Sequence, residues 1–481
     1  MYLGLDLGTT NIKAVLTDAA GAVLARGAAP VPLHQVGPVG VEQDIEEIWT
    51  ATLAALRQVG SSADMSKVLA VGVSSQGGAI QILDGDGRRL GNVISWLDGR
   101  GKPFAEEFTS RLGRDWFAGR IGHGGCGWVV GQLLRLKQEY PGMLALPNRI
   151  AYVGDIIVGR LCGCAAHDPT SLAITMMFNP WTQGSDPDVL RELGIAESQL
   201  PILKTARQRV GGLTAEAARA AGLPEGIPVS AAVHDQYAAS LGSAATSAGD
   251  VMFGAGTAWV LLAATDKLLR PVIDEAFVCT HPAAGLYGQM LTMANGGSAV
   301  SWARKVLAIN GHDDLDAMMS RSPVGSDGLR FWPLLVPGGG ARLERSVRGK
   351  LSGLQLSHGP CHILRAVVEG LAMELNRYLG FLTSAGLRIG RLVMCGGAAG
   401  SKVTPQMVAD VTGLGVSCCA ETETSAKGAA VIARGLVEPD AGLAGLSRAM
   451  AGPVRQFAPG ADAPAYAQMF REYVESLPAG G

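Results

Sequence analysis

A two-domain α/β fold, built twice on one plan, is what this 481-residue sequence predicts. Three observations predict it. The length exceeds what a single hydrophobic core supports, so two domains plus extra material are expected. Two glycine–threonine turns, Gly8-Thr9 and Gly256-Thr257, stand 248 residues apart, each between two apolar strands. Behind each turn, short apolar runs alternate with helical periodicity, which implies α/β domains facing each other across a cleft.

The elements follow in order. Runs at 2–6, 12–17 and 22–27 read as strands, and the apolar spacing over 45–59 reads as a helix. A buried strand over 68–74 ends at Ser75-Gln76-Gly77-Gly78, and runs at 79–83 and 93–96 flank the Asp84-Gly85-Asp86-Gly87 turn. Helical spacing over 128–140 stops at Pro141-Gly142. The strand over 229–233 feeds His234-Asp235-Gln236, which opens an alanine-rich helix. A second half begins near Ser243 with its own hairpin, then a helix over 360–386 and a strand over 391–395. After the glycine-rich turn 396–401, Thr404 and Pro405 form an N-cap and first-turn pair for a helix ending at Gly413. A strand over 415–420 and a helix over 425–435 complete it. The expected domains are therefore 1–242 and 243–437, followed by a helical tail over 438–481.

Composition narrows the function classes. Apolar residues make up 48%, charged residues 17%, and the formal net charge is −2, which is a globular profile without a basic patch for nucleic acid. The eight cysteines lack zinc-site spacing and read as free thiols of a reducing compartment. Neither a secretory leader nor a membrane span is read, so a cytoplasmic protein is expected. No GxxxxGK[ST], GxSxG or HExxH motif occurs, and the GxGxxG at Gly122, Gly124 and Gly127 lacks a preceding strand.

The turns carry the chemistry. Glycine allows a positive φ and lets a ligand approach the backbone, so amide groups and a threonine hydroxyl can converge on a phosphate. Asp6 beside the first turn is either a solvated turn residue or a carboxylate near Mg²⁺, and Lys13 is either a surface lysine or a phosphate contact. Asp235 is either a helix cap or a base at a strand end, accepting a proton during phosphoryl transfer. The turn 396–401 is either a plain connection or a wall for a nucleoside.

The chain resembles the FGGY carbohydrate kinases, within the actin, sugar-kinase and heat-shock ATPase superfamily. The resemblance spans about 1–437 and rests on many short matches in one order. Among them are Asp6-Leu7-Gly8-Thr9-Thr10, Glu42-Gln43-Asp44, Ser75-Gln76-Gly77 and the stretch from Ser95-Trp96 to Asp98-Gly99-Arg100. Asp168-Pro169-Thr170-Ser171, His234-Asp235-Gln236, Gly256-Thr257, Gly296-Gly297-Ser298, Glu369-Gly370 and Gly396-Gly397-Ala398 continue it. It implies two ribonuclease-H-like (actin-like ATPase) domains flanking a catalytic cleft, with ATP held mainly by the second and sugar by the first. Asp235 is then the catalytic base, and Asp6 and Asp235 serve Mg²⁺, directly or through water. Gly8, Thr9, Thr10, Lys13, Gly256 and Thr257 become phosphate contacts, and Gly297, Ser301, Gly397 and Ser401 the nucleoside wall. Gln76, Gly77, Gly78, Asp235 and Gln236 fall where family members contact the sugar.

Two departures bear on the substrate. Glycerol kinases carry an arginine–glutamate pair where this chain has Gly77-Gly78, and xylulose kinases usually carry Met-His there. The Gly-Glu-Arg of the second domain is replaced by Pro337-Gly338-Gly339-Gly340-Ala341. The expected activity is ATP- and Mg²⁺-dependent phosphorylation of a terminal hydroxyl of a pentulose such as xylulose. Another ketose or a polyol is the alternative, and an actin- or chaperone-like nucleotide switch or a sugar-binding pseudokinase is the alternative of another class. Expected partners are a small sugar and ATP, with no nucleic acid and no membrane, and with a homodimer as the assembly considered.

Overall fold

The structure is a computed structural model that describes residues 1–310, 314–336, 340–344 and 346–478. Of the glycine run that departs from the family pattern, Pro337, Gly338 and Gly339 lie outside the described residues. The chain packs into two compact units, neither contiguous in sequence. The first comprises Met1–Ser247, Asp266–Gln289 and Glu423–Ala451; the second comprises Ala248–Thr265, Met290–Thr422 and Gly452–Gly481.

The first unit is organised by an eight-stranded mixed sheet. Its path runs Ile202–Leu203, Ala166–His167, Pro228–His234, Ala70–Ser75, Tyr2–Leu7, Asn11–Thr17 and Val23–Pro30, with Arg209–Gly212 paired to Pro228–His234. Tyr2–Leu7 is almost continuously buried because helices cover both faces. Alternation turns Leu3, Leu5 and Leu7 to one face, where they join Ile48, Leu56 and Val59 of the helix Ile45–Gly60 in one core. Gly4 and Asp6 point to the other face. There the helix Thr424–Val437 lies so close that a Cβ on Gly4 would stand 1.8 Å from the Ala426 carbonyl oxygen. Gly72 meets Ala429 in the same way, at 1.9 Å. A separate five-stranded sheet, in the order His34–Val36, Gly40–Gln43, Val93–Ile94, Ile80–Leu83 and Arg149–Tyr152, was not anticipated as a sheet from sequence.

The second unit repeats the plan. Asp250–Ala255 and Trp259–Thr265 form an antiparallel hairpin, and Asp250–Ala255 pairs in parallel with Arg391–Cys395 on its other side. The first unit has the same arrangement, with Tyr2–Leu7 antiparallel to Asn11–Thr17 and parallel to Ala70–Ser75. Beyond Arg391–Cys395 come Val416–Cys419 and Val454–Phe457. The last of these lies in the stretch read as a helical tail; it adds an antiparallel edge strand between the helices Leu443–Ala449 and Ala463–Glu475. The helix Val403–Thr412 ends at Gly413 as read, but Thr404 is not its cap. The Ser401 hydroxyl accepts from the N–H groups of Val403 and Thr404 at 3.1 and 2.9 Å.

Among the described residues no helix is long and apolar enough to cross a membrane, and all eight cysteines are free.

Candidate active site

In the first unit the candidate residues gather at the carboxyl ends of three neighbouring parallel strands. Asp6 stands opposite Ser74 in the ladder, Val233 is opposite Ser74 on its other side, and Asp235 follows directly. The end of such strands is where open α/β sheets present groups to ligands. The Ser74 hydroxyl donates to Asp6 Oδ1 at 2.8 Å. Burial, and after it the like charge of Asp235, push the Asp6 carboxyl up to about 7, against the Ser74 hydrogen bond and the Lys13 charge.

Asp235 opens the helix Asp235–Gly242, but His234 holds the N-cap position and no side chain caps the helix. Asp235 therefore does not act as the N-cap that its sequence position allowed. Its side chain is 31% exposed, and His234 Nδ1 lies 3.4 Å from its Oδ1. Burial pushes the His234 imidazole down, so it is uncharged beside that carboxylate. The Ser425 hydroxyl donates to the Asp235 carbonyl at 3.1 Å, fixing the helix start from the far end of the chain.

The first turn and the candidate sugar residues form one network. Thr9 donates its hydroxyl to Gln76 Oε1 at 2.9 Å, Gln76 Nε2 donates to Gln43 Oε1 at 3.1 Å, and Gln43 Nε2 donates to the Thr9 carbonyl at 2.9 Å. Trp96 Nε1 donates to the same Thr9 hydroxyl oxygen at 2.8 Å. The loop that carries Trp96 is held by Asp98, whose carboxylate takes the Arg100 guanidinium and the N–H of Val41, while Arg100 also reaches Glu42. Gln43, Ser74 and Trp96 were not singled out as site residues from sequence, although Gln43 and Trp96 lie within matched motifs.

Two expectations change. Neither Gly8 nor Gly256 has a positive φ. Gly8 is needed because a Cβ there would meet the Asn11 carbonyl oxygen at 2.6 Å. Lys13 is not a free surface lysine: its Nζ lies 2.5 Å from Glu423 Oε2. Gly77 admits no side chain, since a Cβ would lie 2.5 Å from His234 Cδ2, whereas Gly78 has a left-handed φ of 76°. Thr10 is exposed on the turn and Gln236 is half-buried beside Asp235.

In the second unit three glycine turns converge. The Gly256 and Thr257 carbonyls accept from the N–H groups of Gly297 and Ser298 at 2.9 and 3.0 Å, so the hairpin turn sits on the start of the helix Gly297–Val306. A Cβ on Gly396, where φ is 85°, would stand 3.2 Å from the Ala255 carbonyl, so that turn also lies at the same strand end. Gly256, Thr257, Ser301 and Gly397 are exposed. Ser401 is more engaged than expected, donating to Asp316 Oδ1 at 2.5 Å while capping its helix.

No cluster of three or more metal-ligating side chains occurs among the described residues. Two carboxylates are nevertheless a usual protein share for Mg²⁺, which completes its shell with phosphate oxygens and water. Asp6 and Asp235, carboxylates at the ends of the strands that flank Ala70–Ser75, are oxygen donors of the kind this ion takes, so the residues fit it.

The chain matches the family description "FGGY family of carbohydrate kinases, N-terminal domain" over residues 1–242 and its C-terminal counterpart over 251–434. It is 26% identical over 416 residues to a xylulose kinase of Escherichia coli (strain K12), covering 86% of this chain and 85% of that one. It is 30% identical over 450 residues to a glycerol kinase of Thermus brockianus, covering 89% and 88%. The crystal structure of a xylulose kinase from Rhodospirillum rubrum superposes with a TM-score of 0.87 at 27% identity, covering 98% of this chain and 97% of that one.

Proposed function

The chain belongs to the FGGY family of carbohydrate kinases, and on that premise we propose that it phosphorylates a terminal hydroxyl of a pentulose such as xylulose. The observation that carries the chemical reading is that Asp6 and Asp235 stand at the carboxyl ends of the two strands that flank Ala70–Ser75, close enough for the charge of one to act on the other. Asp235, uncapped and partly exposed, accepts the proton of the sugar hydroxyl as that oxygen attacks the γ-phosphorus in line and ADP leaves. Asp6 and Asp235 would hold Mg²⁺, directly or through water, and the ion would supply charge neutralisation for the phosphates. Thr9, set by Gln76 and Trp96, and the amide-rich turns at Gly8, Gly256, Gly297 and Gly397 supply phosphate and nucleoside contacts. The 1–242 segment takes the sugar role and the 243–437 segment the ATP role.

The pentulose is favoured by the xylulose kinases among the relatives. Gly77-Gly78 favours a second reading, a different ketose or a polyol, because no side chain there reaches for the substrate. A cytoplasmic setting and a homodimer complete the proposal; the eight free cysteines suit a reducing compartment.

A panel of pentuloses, hexuloses and polyols in a coupled ADP-release assay tests the activity. One ketose is expected to accelerate ADP release strongly over a slow sugar-free rate, because binding energy from the sugar completes the reacting arrangement. Brisk ATP hydrolysis, unaffected across the whole panel, would instead establish a nucleotide switch.

Gln76→Ala separates sugar from nucleotide roles. It should raise the sugar KM well above its effect on the ATP KM. Equal weakening of both would mean that Gln76 acts chiefly by holding Thr9.

A further inference from the structure

The Asp168-Pro169-Thr170-Ser171 motif takes no part in the chemistry above, yet it is buried against the strand that ends at His234. Asp168 caps the short helix Pro169–Ala173, its Oδ1 accepting the Thr170 N–H at 2.9 Å. A cap needs only that bond. Here Oδ1 also accepts the Thr170 hydroxyl at 2.7 Å, and Oδ2 accepts the Ala206 N–H at 2.8 Å. A hydroxyl has one proton, so donation to Asp168 leaves the Thr170 oxygen as an acceptor. It takes the N–H of His234 at 3.0 Å. Two residues earlier, the Ala232 carbonyl accepts the Ser171 hydroxyl at 2.8 Å and the Asp168 N–H at 3.2 Å. The strand is thus pinned at Ala232 and His234, and the next residue is Asp235.

We propose that Thr170 is a positioning residue for phosphoryl transfer: its hydroxyl, aimed by Asp168, fixes the His234 backbone and through it the Asp235 carboxylate. The proposal rests on Asp235 being the base. Ordinary packing does not explain the arrangement, since a valine would fill the same volume. Only the hydroxyl links a buried carboxylate to the backbone N–H of the residue immediately before the base. Displacement of a reacting group by about 1 Å costs on the order of 10²-fold in rate.

The test compares Thr170→Val, which keeps the shape, with Thr170→Ser, which keeps the hydroxyl, beside Asp235→Asn. Turnover, both KM values and thermal melting are measured on the full chain. Thr170→Val should lose kcat by roughly 10- to 100-fold with both KM values little changed, and Thr170→Ser should stay within about threefold of wild type. Should the valine protein not fold, Thr170→Ala against Thr170→Ser makes the same comparison. Wild-type kcat in the valine or alanine protein, even with a lowered melting temperature, overturns the proposal while leaving the base in place. Equal losses in the serine and valine proteins also overturn it, because keeping the hydroxyl would then not preserve turnover and the fit of the side chain, not its hydrogen bond, would be what matters. Full turnover in Asp235→Asn removes the premise itself.

Discussion

Asp235→Asn is expected to lower sugar phosphorylation about 10²-fold or more while leaving ATP binding and the fold intact. Asparagine matches aspartate in shape, so the helix Asp235–Gly242 and its Ser425 contact to the main chain should persist. It cannot accept a proton at neutral pH, so on the proposed role of Asp235 the attacking hydroxyl loses its base. Structural cost is small because no hydrogen bond caps the helix through this side chain, and one of two repelling carboxylates is removed. The melting temperature should hold or rise, and ATP affinity measured by calorimetry should stay within a few-fold. Single-turnover measurement with saturating sugar then isolates the chemical step. Near-wild-type turnover in that assay would show that another group is the base.

The second large effect concerns stability. Gly428→Ala should destabilise the first unit by about 3 kcal/mol or more, a large share of a typical domain's 5–15 kcal/mol. Gly428 lies in the helix Thr424–Val437, and a Cβ there would fall 1.7 Å from the Ala238 carbonyl oxygen, an overlap that only backbone movement relieves. Gly242 answers it from the other helix, where a Cβ would stand 2.0 Å from the Thr424 carbonyl oxygen. The two helices touch main chain to main chain, and one of them carries Asp235. Gly445→Ala is the control, because Gly445 has nothing within 4 Å of a new Cβ and sits in the helix Leu443–Ala449. That change should be neutral or stabilising by up to about 1 kcal/mol, as helix propensity dictates. Urea midpoints of the two variants decide the matter; equal midpoints would mean that the helix contact yields without cost.

Much of the fold was legible because local pattern and final burial agree. The strands around Gly8-Thr9 and Gly256-Thr257, the strand ending at His234 and the helix ending at Gly413 stand where apolar runs and turn residues put them. Family membership was legible from the motifs, and the matches over 1–242 and 251–434 bear it out. What escaped depends on distant partners. Strands of three or four residues, such as His34–Val36 and Gly40–Gln43, are too short for a period to register. Nothing near Lys13 announces Glu423, and nothing near Gly4 announces the helix that makes a side chain there impossible. The glycine turns were read for the right places but for the wrong torsional reason: Gly8 is required by the crowding of Asn11, not by a positive φ. Ser401 was missed because it stands one residue before the N-cap position Lys402, whereas the ordinary signal lies immediately before the helical run.

The return of Glu423–Ala451 to the first unit sets a timetable for biosynthesis. The strands Tyr2–Leu7 and Ala70–Ser75 emerge early, but the helix that covers their second face lies far downstream, at Thr424–Val437. At 5–20 residues per second, the ribosome needs roughly nine to thirty-five seconds to pass from residue 247 to residue 424. For that interval a nascent sheet shows a strip of glycine and small apolar residues to solvent with no native cover. Pausing, temperature or chaperone supply during those seconds should therefore govern the yield of active enzyme more than the folding of the completed chain does.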